Sequence, residues 1–463
     1  MDLRDKDTAK EKEKRTLNKR SLCVLGVSLL FYLFWFVVDG VIISVDAQSY
    51  IDGYYSREPL YPSILFVLRL LFGTSSYLYV TVLLQCILAA VATWRLTEVM
   101  AAKFHLGILS IAAIEGIQFA VVLLCRFAAG RKSTYCNSIE SEGMAIPLFI
   151  LFILALLQFL WNSEYKKLVG VTFYAICLIC IRKQMLMVLP FLVLVYLGAG
   201  IFRKFNWRKY LIVFCSVLAT TGIAQGINYL YNFALRGEFM QPTKNFAFLA
   251  VTTLYSSDSE DIESVEDENL RSLFKIIVSQ IEDCEYSYKY APAGWEQLAH
   301  HYADNYDLIQ FEIAYPAIYE YVDSQKPVST NDREKAADAL TESIIKELMP
   351  KCWVNMLRVA TSNMYMGLCN TVSKASTVLN WYNILFYLLY AGLIIRNIIK
   401  KKNRDINCLA LVIAVAVAVN VGAVGITIFA QTRYMIYNMP LIYVSMYLLL
   451  WSYAKEKRTV QSR

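Results

Sequence analysis

Asp46 follows a long apolar stretch, and eleven residues later the chain reads Arg57-Glu58-Pro59-Leu60-Tyr61-Pro62. A carboxylate can take the proton from a hydroxyl, and a guanidinium can hold an anion such as a phosphate at two points. The pairing of acid and base recurs along the chain. Glu140 and Glu142 come just before another apolar run, Arg182 and Lys183 separate two more, and Arg433-Tyr434 lies in the short turn between the last two. Asp52, Arg126, Arg131 and Lys132 stand at comparable places. Proton removal beside a held anion is the chemistry of group transfer, provided that the fold brings these side chains to one place.

The elements that must do so are membrane helices. Of the 463 residues, 57% are hydrophobic and 14% aromatic. Many windows reach the length and apolarity of a span, about 20 residues each. Ten spans are expected near 22–44, 76–97, 106–124, 144–161, 168–181, 185–202, 210–231, 377–396, 406–430 and 435–453. Counted from a cytoplasmic start, every inner loop is basic: Lys103, Lys166 with Lys167, Arg203 to Lys209, Arg396 to Arg404, and Lys455 to Arg458. That bias places both termini in the cytoplasm and the residues above on the outer face. The net charge of +7 is accounted for by these loops, so nucleic acid is not an expected partner. No phosphate-binding glycine loop or dinucleotide fingerprint occurs, so nucleotide chemistry has no support.

The expected organisation has a cytoplasmic tail (1–21), an N-terminal membrane module (22–231) whose first outer loop covers 45–75, an acidic outer region (232–376), C-terminal membrane helices (377–454) and a second tail (455–463). Fusing the fifth and sixth spans would leave Arg182 and Lys183 mid-bilayer at roughly 2.5–3.5 kcal/mol each, so a tight outer hairpin is expected there. Residues 60–73 are too short to span and read as an interfacial or re-entrant helix. From Asp258 to Glu347 there are 21 Asp and Glu against 7 Lys and Arg, with helical periodicity around 270–281 and 332–361. The fold class is therefore an all-α polytopic membrane protein with a largely helical extracytoplasmic region.

Bland readings stand beside the chemical ones. Asp46 could cap a helix, the arginines could contact lipid headgroups, and Tyr50, Tyr54, Tyr55 and Tyr61 could be an aromatic belt. Asp39 and Glu115 fall inside spans, where an ionisable group suggests function but is more often a hydrogen-bonded partner between helices. Of eleven cysteines, five would lie outside; an odd number at irregular spacing is no disulfide framework, and one Cys125–Cys136 bridge is the most that it allows. No glycosylation sequon occurs, which favours a bacterial plasma membrane.

Outside a cell there is no nucleotide pool, so a transferase there draws on a donor already in the membrane, such as a sugar on a polyprenyl phosphate. It needs a carboxylate base, cations for the leaving phosphate and an apolar path for the lipid tail. The outer face carries each of these.

The order of these motifs resembles the GT-C superfamily of polytopic glycosyltransferases, which includes the protein O-mannosyltransferases and the aminoarabinose transferases of lipid A. The likeness rests on short islands: Asp46 with Tyr50; Arg57-Glu58-Pro59-Leu60-Tyr61-Pro62 and the helix ending at Phe72-Gly73; Asn137-Ser138-Ile139-Glu140-Ser141-Glu142; Ile181-Arg182-Lys183-Gln184 with Pro190; and Arg433-Tyr434 with Pro440. Where many members carry paired acids, Asp46 is followed by Ala47. The resemblance implies an inverting glycosyltransferase of the cell envelope, acting in glycan biosynthesis at the outer face. Its Asp46 would be the general base, and Arg57, Arg182 and Arg433 would meet the donor phosphate. Tyr50, Glu58, Tyr61, Glu142, Lys183 and Tyr434 complete the expected substrate-binding set. The expected partners are a polyprenyl-phosphate-linked sugar, an acceptor glycan, lipid or protein, and the bilayer itself. No cofactor is certain from the sequence, and a divalent metal is possible. The rival readings are a surface-polysaccharide polymerase or ligase using a lipid-linked oligosaccharide, and a lipid or solute transporter.

Overall fold

The computed structural model describes residues 3–128, 133–162, 164–203, 206–243, 246–325, 329–374 and 376–461. Among them the chain is helical nearly throughout. The helices are α1 (Leu3–Asp39), α2 (Ala47–Ile51), α3 (Leu60–Phe104), α4 (Ile108–Ala128), α5 (Glu142–Asn162), α6 (Tyr165–Ile181), α7 (Val188–Arg203) and α8 (Trp207–Arg236). The acidic region adds α9 (Phe246–Ser256), α10 (Ser259–Glu263), α11 (Glu268–Asp283), α12 (Trp295–Leu308), α13 (Tyr315–Ser324) and α14 (Thr330–Val372). The chain closes with α15 (Thr377–Ile399), α16 (Arg404–Thr427), α17 (Thr432–Met435) and α18 (Met439–Gln461).

Among the described residues, eight helices are long and apolar enough to cross a membrane. Helices stand at all ten places expected from the sequence; α6, with 17 residues, and α18 fall outside the eight. α3 is two helices in one. Gly73, at φ +74°, interrupts it, so Leu60–Phe72 is set off from the spanning part as its shortness required. Arg182 and Lys183 occupy the expected hairpin, where α6 ends and a 3₁₀ turn, Lys183–Met187, leads into α7.

The bundle is held by apolar faces, with α5 the most enclosed of the spans. α1 packs on α3, α5 on α3 and α6, and α16 lies against α14, α15, α18, α7 and α5. The two acids inside spans are paired. Asp39 meets Arg126 at 2.6 Å, and Glu115 accepts a 2.8 Å hydrogen bond from Ser28. None of the eleven cysteines forms a disulfide, so the bridge that Cys125 and Cys136 could have formed is absent; both are buried.

The acidic region sits on the Asp46 end of the bundle. Tyr55 donates to Asn331 at 2.5 Å, Arg236 to the Gly53 carbonyl at 2.6 Å, and Tyr306 lies 5.1 Å from the Phe429 ring. The second half of α14 already belongs to the bundle: Asn370 donates to the Ala430 carbonyl at 2.6 Å, and Gly367 and Gly425 let α14 and α16 approach closely.

Candidate active site

The loop that carries Asp46 begins where Gly40, at φ +64°, turns the chain out of α1. It is then stitched to the loop before α5. Ile42 N–H donates to the Asn137 carbonyl and Ile139 N–H to the Ile42 carbonyl, both at 2.9 Å. Ser44 donates to the Ile139 carbonyl at 2.8 Å. Asn137, wholly buried, spends its amide on the carbonyls of Trp35 and Gly40. These bonds bring Asp46 beside Glu140 and Glu142, almost a hundred residues away.

Three guanidiniums fill the space between the carboxylates. Arg57 reaches Asp46 Oδ1 at 2.8 Å, donates to Ser49 at 2.8 Å and lies 4.2 Å over the Tyr50 ring. Arg433 bridges two acids, with Nη2 2.5 Å from Asp46 Oδ2 and Nε on Glu142 Oε1; its Nη2 is also 3.9 Å from Glu140. Arg182 holds the other Glu142 oxygen at 2.7 Å, donates to Ser141 at 3.1 Å and lies over the Tyr434 ring. Three acids and three bases thus balance in charge, and Glu140 and Glu142 are essentially without solvent contact. Burial by itself raises the Asp46 carboxyl. Arg433 and then Arg57 outweigh it and hold the group at about 2.

The turn that presents Arg433 is fixed from beneath. Gln184 and Asn420 each donate to the Tyr434 carbonyl, at 2.8 and 2.9 Å, and Gln184 also donates to the Asn420 Oδ1 at 2.9 Å. Tyr50 donates to or accepts from Ser141 at 2.9 Å, and its ring meets Tyr61 edge-on at 5.1 Å.

A second pair of charged groups, Glu58 and Lys183, adjoins this cluster. Glu58 is buried beside Lys183 and Asn228, and burial pushes its carboxyl up to about 7, opposed in part by Lys183. Lys183 donates to the Thr243 carbonyl.

Of the expected residues, Asp46, Tyr50, Arg57, Glu142, Arg182, Arg433 and Tyr434 converge. Glu58 and Lys183 form the neighbouring pair. Tyr61 does not line the site: it is wholly buried, with its hydroxyl donated to Gln85 at 2.8 Å. Asp52 points away and accepts from Gln48, and Arg126 is spent on Asp39. Arg131 and Lys132 lie outside the described residues.

Residues outside the expected set also contribute. Glu140 belongs to the cluster rather than merely preceding it. Gln184 and Asn420 position the Arg433 turn, and a lone Asn within an apolar run was a usable signal for the latter. Asp307, on α12, faces the cluster. Burial and the nearby Asp46 raise its carboxyl, and Arg433 lowers it. One acid among 21 in that region gave no sign of this.

Among the described residues no three His, Cys, Asp or Glu side chains are grouped to hold a metal. An apolar cavity of about 50 Å³ lies beside the loop before α5, lined by Tyr32, Cys125, Tyr135, Ile146, Ile436 and Pro440 among others. It has room for water molecules but not for a prenyl chain.

No known family model matches this chain. No characterised protein matches it by sequence. Two crystal structures of ArnT from Cupriavidus metallidurans align with it, one bound to undecaprenyl phosphate and one in the apo state. They are 12% identical to it, with TM-scores of 0.30 and 0.28, over 94% and 95% of this chain and 77% and 78% of theirs. A superposition that loose says nothing about activity.

Proposed function

We propose that this chain is a GT-C-type membrane glycosyltransferase that moves a sugar from a polyprenyl-phosphate donor to an acceptor hydroxyl at the outer face of the membrane. The observation that carries this reading is Asp46 held between Arg57 and Arg433, at 2.8 and 2.5 Å. In that state the carboxylate, at about 2, is a weak base. The donor's phosphodiester, a monoanion that gains its second charge as the sugar leaves it, replaces the carboxylate as the partner of the two guanidiniums. The same event therefore holds the leaving group and frees Asp46, whose proton affinity rises toward the ordinary carboxylate range.

Asp46 then takes the acceptor's hydroxyl proton, and the oxygen attacks the anomeric carbon. The bond from that carbon to the phosphate oxygen breaks with its electron pair, polyprenyl phosphate leaves, and a single displacement inverts the anomeric centre. Arg182 stays on Glu142, and Glu142 keeps Arg433 aimed while Asp46 is free. The lipid tail lies on the membrane-facing surface of the helices. The basic inner loops support an outward-facing site with both termini in the cytoplasm.

A polysaccharide ligase would use the same cluster and differ only in the length of glycan transferred. The transporter reading loses its footing, because Asp39 and Glu115, which would have lined a path through the bilayer, are each satisfied by a neighbouring helix.

The test is transfer of radiolabelled sugar from a pool of polyprenyl-phosphate sugars by membranes carrying the wild type or Asp46→Asn. Loss of transfer with donor binding retained supports the assignment, and full activity of Asp46→Asn overturns the base role.

A further inference from the structure

α14 changes character along its length. From Thr330 to Lys351 it carries charges on nearly every turn, whereas from Cys352 to Val372 Arg358 is the only charged residue. Its buried face, Cys352, Met356, Val359, Ala360, Asn363, Met366, Gly367 and Asn370, is spent on α9 and α16. The opposite face carries Trp353, Leu357, Thr361 and Leu368, a spacing that keeps them on one stripe of a helix. Trp353, Val354 and Leu357 are 58%, 58% and 54% exposed, although α14 is not among the helices long and apolar enough to cross a membrane.

The stripe continues into a spanning helix. Tyr387, on α15, donates to the Leu368 carbonyl at 2.9 Å, and Val378 and Trp381 extend the exposed apolar surface along α15. Trp295, 63% exposed, lies against Tyr365 on the same side. Tryptophans at the rim of an apolar band are what a bilayer interface selects. A helix with one apolar face and one face committed to protein lies in that interface.

We propose that the second half of α14 is an interfacial membrane anchor, with its apolar stripe bedded in the leaflet at the Asp46 end of the bundle. The occupant of this surface is lipid, because the stripe is continuous with the surface by which α15 meets lipid. Anchoring there holds the acidic region, and with it Asp307 and Tyr306, over the arginine–carboxylate cluster.

The test is spin labelling of the full chain in liposomes. The exposed Cys23, Cys215 and Cys284 are replaced by Ser, and a nitroxide is placed in turn at Leu357→Cys, Val354→Cys and, as a water-exposed reference on α11, Ile276→Cys. The expected result is an oxygen-to-nickel-chelate collision ratio at 354 and 357 several-fold above that at 276. Ratios equal to that at 276 overturn the anchor by placing the stripe in water. Low collision with both reagents overturns it as well, by showing that a protein or a second copy covers the stripe. A check without new cysteines is quenching of tryptophan fluorescence by brominated phosphatidylcholine in the wild type and in Trp353→Phe. A smaller quenched fraction in the variant is expected, and an unchanged fraction counts against lipid contact.

Discussion

Arg57-Glu58 and Arg182-Lys183 each place one residue in the Asp46 cluster and the next in the Glu58–Lys183 pair. Adjacent side chains meet opposite electrostatic conditions. In the first cluster Asp46 and Glu142 each have two guanidiniums within reach, and both stay charged despite burial. In the second, a single ammonium faces a buried carboxyl and does not offset its desolvation, so Glu58 rises while Asp46 falls. The lesson is that burial alone does not set a charge state; the number and geometry of partners does.

The largest effect is expected where the balanced cluster meets substrate. Asp46→Asn should lower transfer by about 10²–10⁴-fold, the range for loss of a general base, with donor binding kept. Radiolabel transfer and a donor-binding assay on the same membranes separate the two.

Breaking the balance itself should show in stability. Arg433→Ala leaves Glu142 buried with one partner fewer and should cost about 3–5 kcal/mol in detergent unfolding. Arg433→Lys retains the charge but not the two-point bridge from Asp46 to Glu142, and should fall between that variant and the wild type. Equal stability of all three proteins would mean that the pairing is incidental.

The second pair predicts a pH dependence of opposite sign to that of Asp46. The folded Glu58 carboxyl is raised from 4.5 to about 7, so its contribution is fully present below 4.5 and lost as pH rises through about 7, up to about 3 kcal/mol. The depressed Asp46 contributes above 3.8, and that is lost as pH falls through about 2. Glu58→Gln should flatten the unfolding midpoint between pH 4.5 and 7 and leave the acid limb in place. A smaller change is expected at the support of the turn. Asn420→Ala should cost about 1 kcal/mol and lower transfer without abolishing it, because Gln184 still holds the Tyr434 carbonyl.

The helices were legible because apolar runs and basic loops are dictated by the solvent they face. So was the break at Gly73, since a run of thirteen residues that also holds Arg69 cannot cross a bilayer. Within the site, Asp46, Arg57, Arg182 and Arg433 stood out because charge at the end of a span is costly without a purpose. Tyr61 misled: its place in the motif gave no hint that its hydroxyl turns inward to Gln85. Asp307 could not be found, since nothing local distinguishes it from the other acids of its region. Nor was it visible that α14 crosses the boundary of the acidic region, because its buried face carries Ser, Asn and Gly as well as apolar residues.

The strap between Ile42 and Ile139 is made of main-chain atoms alone. The half-buried side chain at 42 can therefore vary while Asp46 keeps its distance from Glu142, whereas Ser138 and Ile139 are held by burial. Only proline at 42 or 139 removes a rung outright. Relatives of this protein should consequently be hard to trace by sequence through the loop that carries Ile42, even where the geometry of the cluster is unchanged.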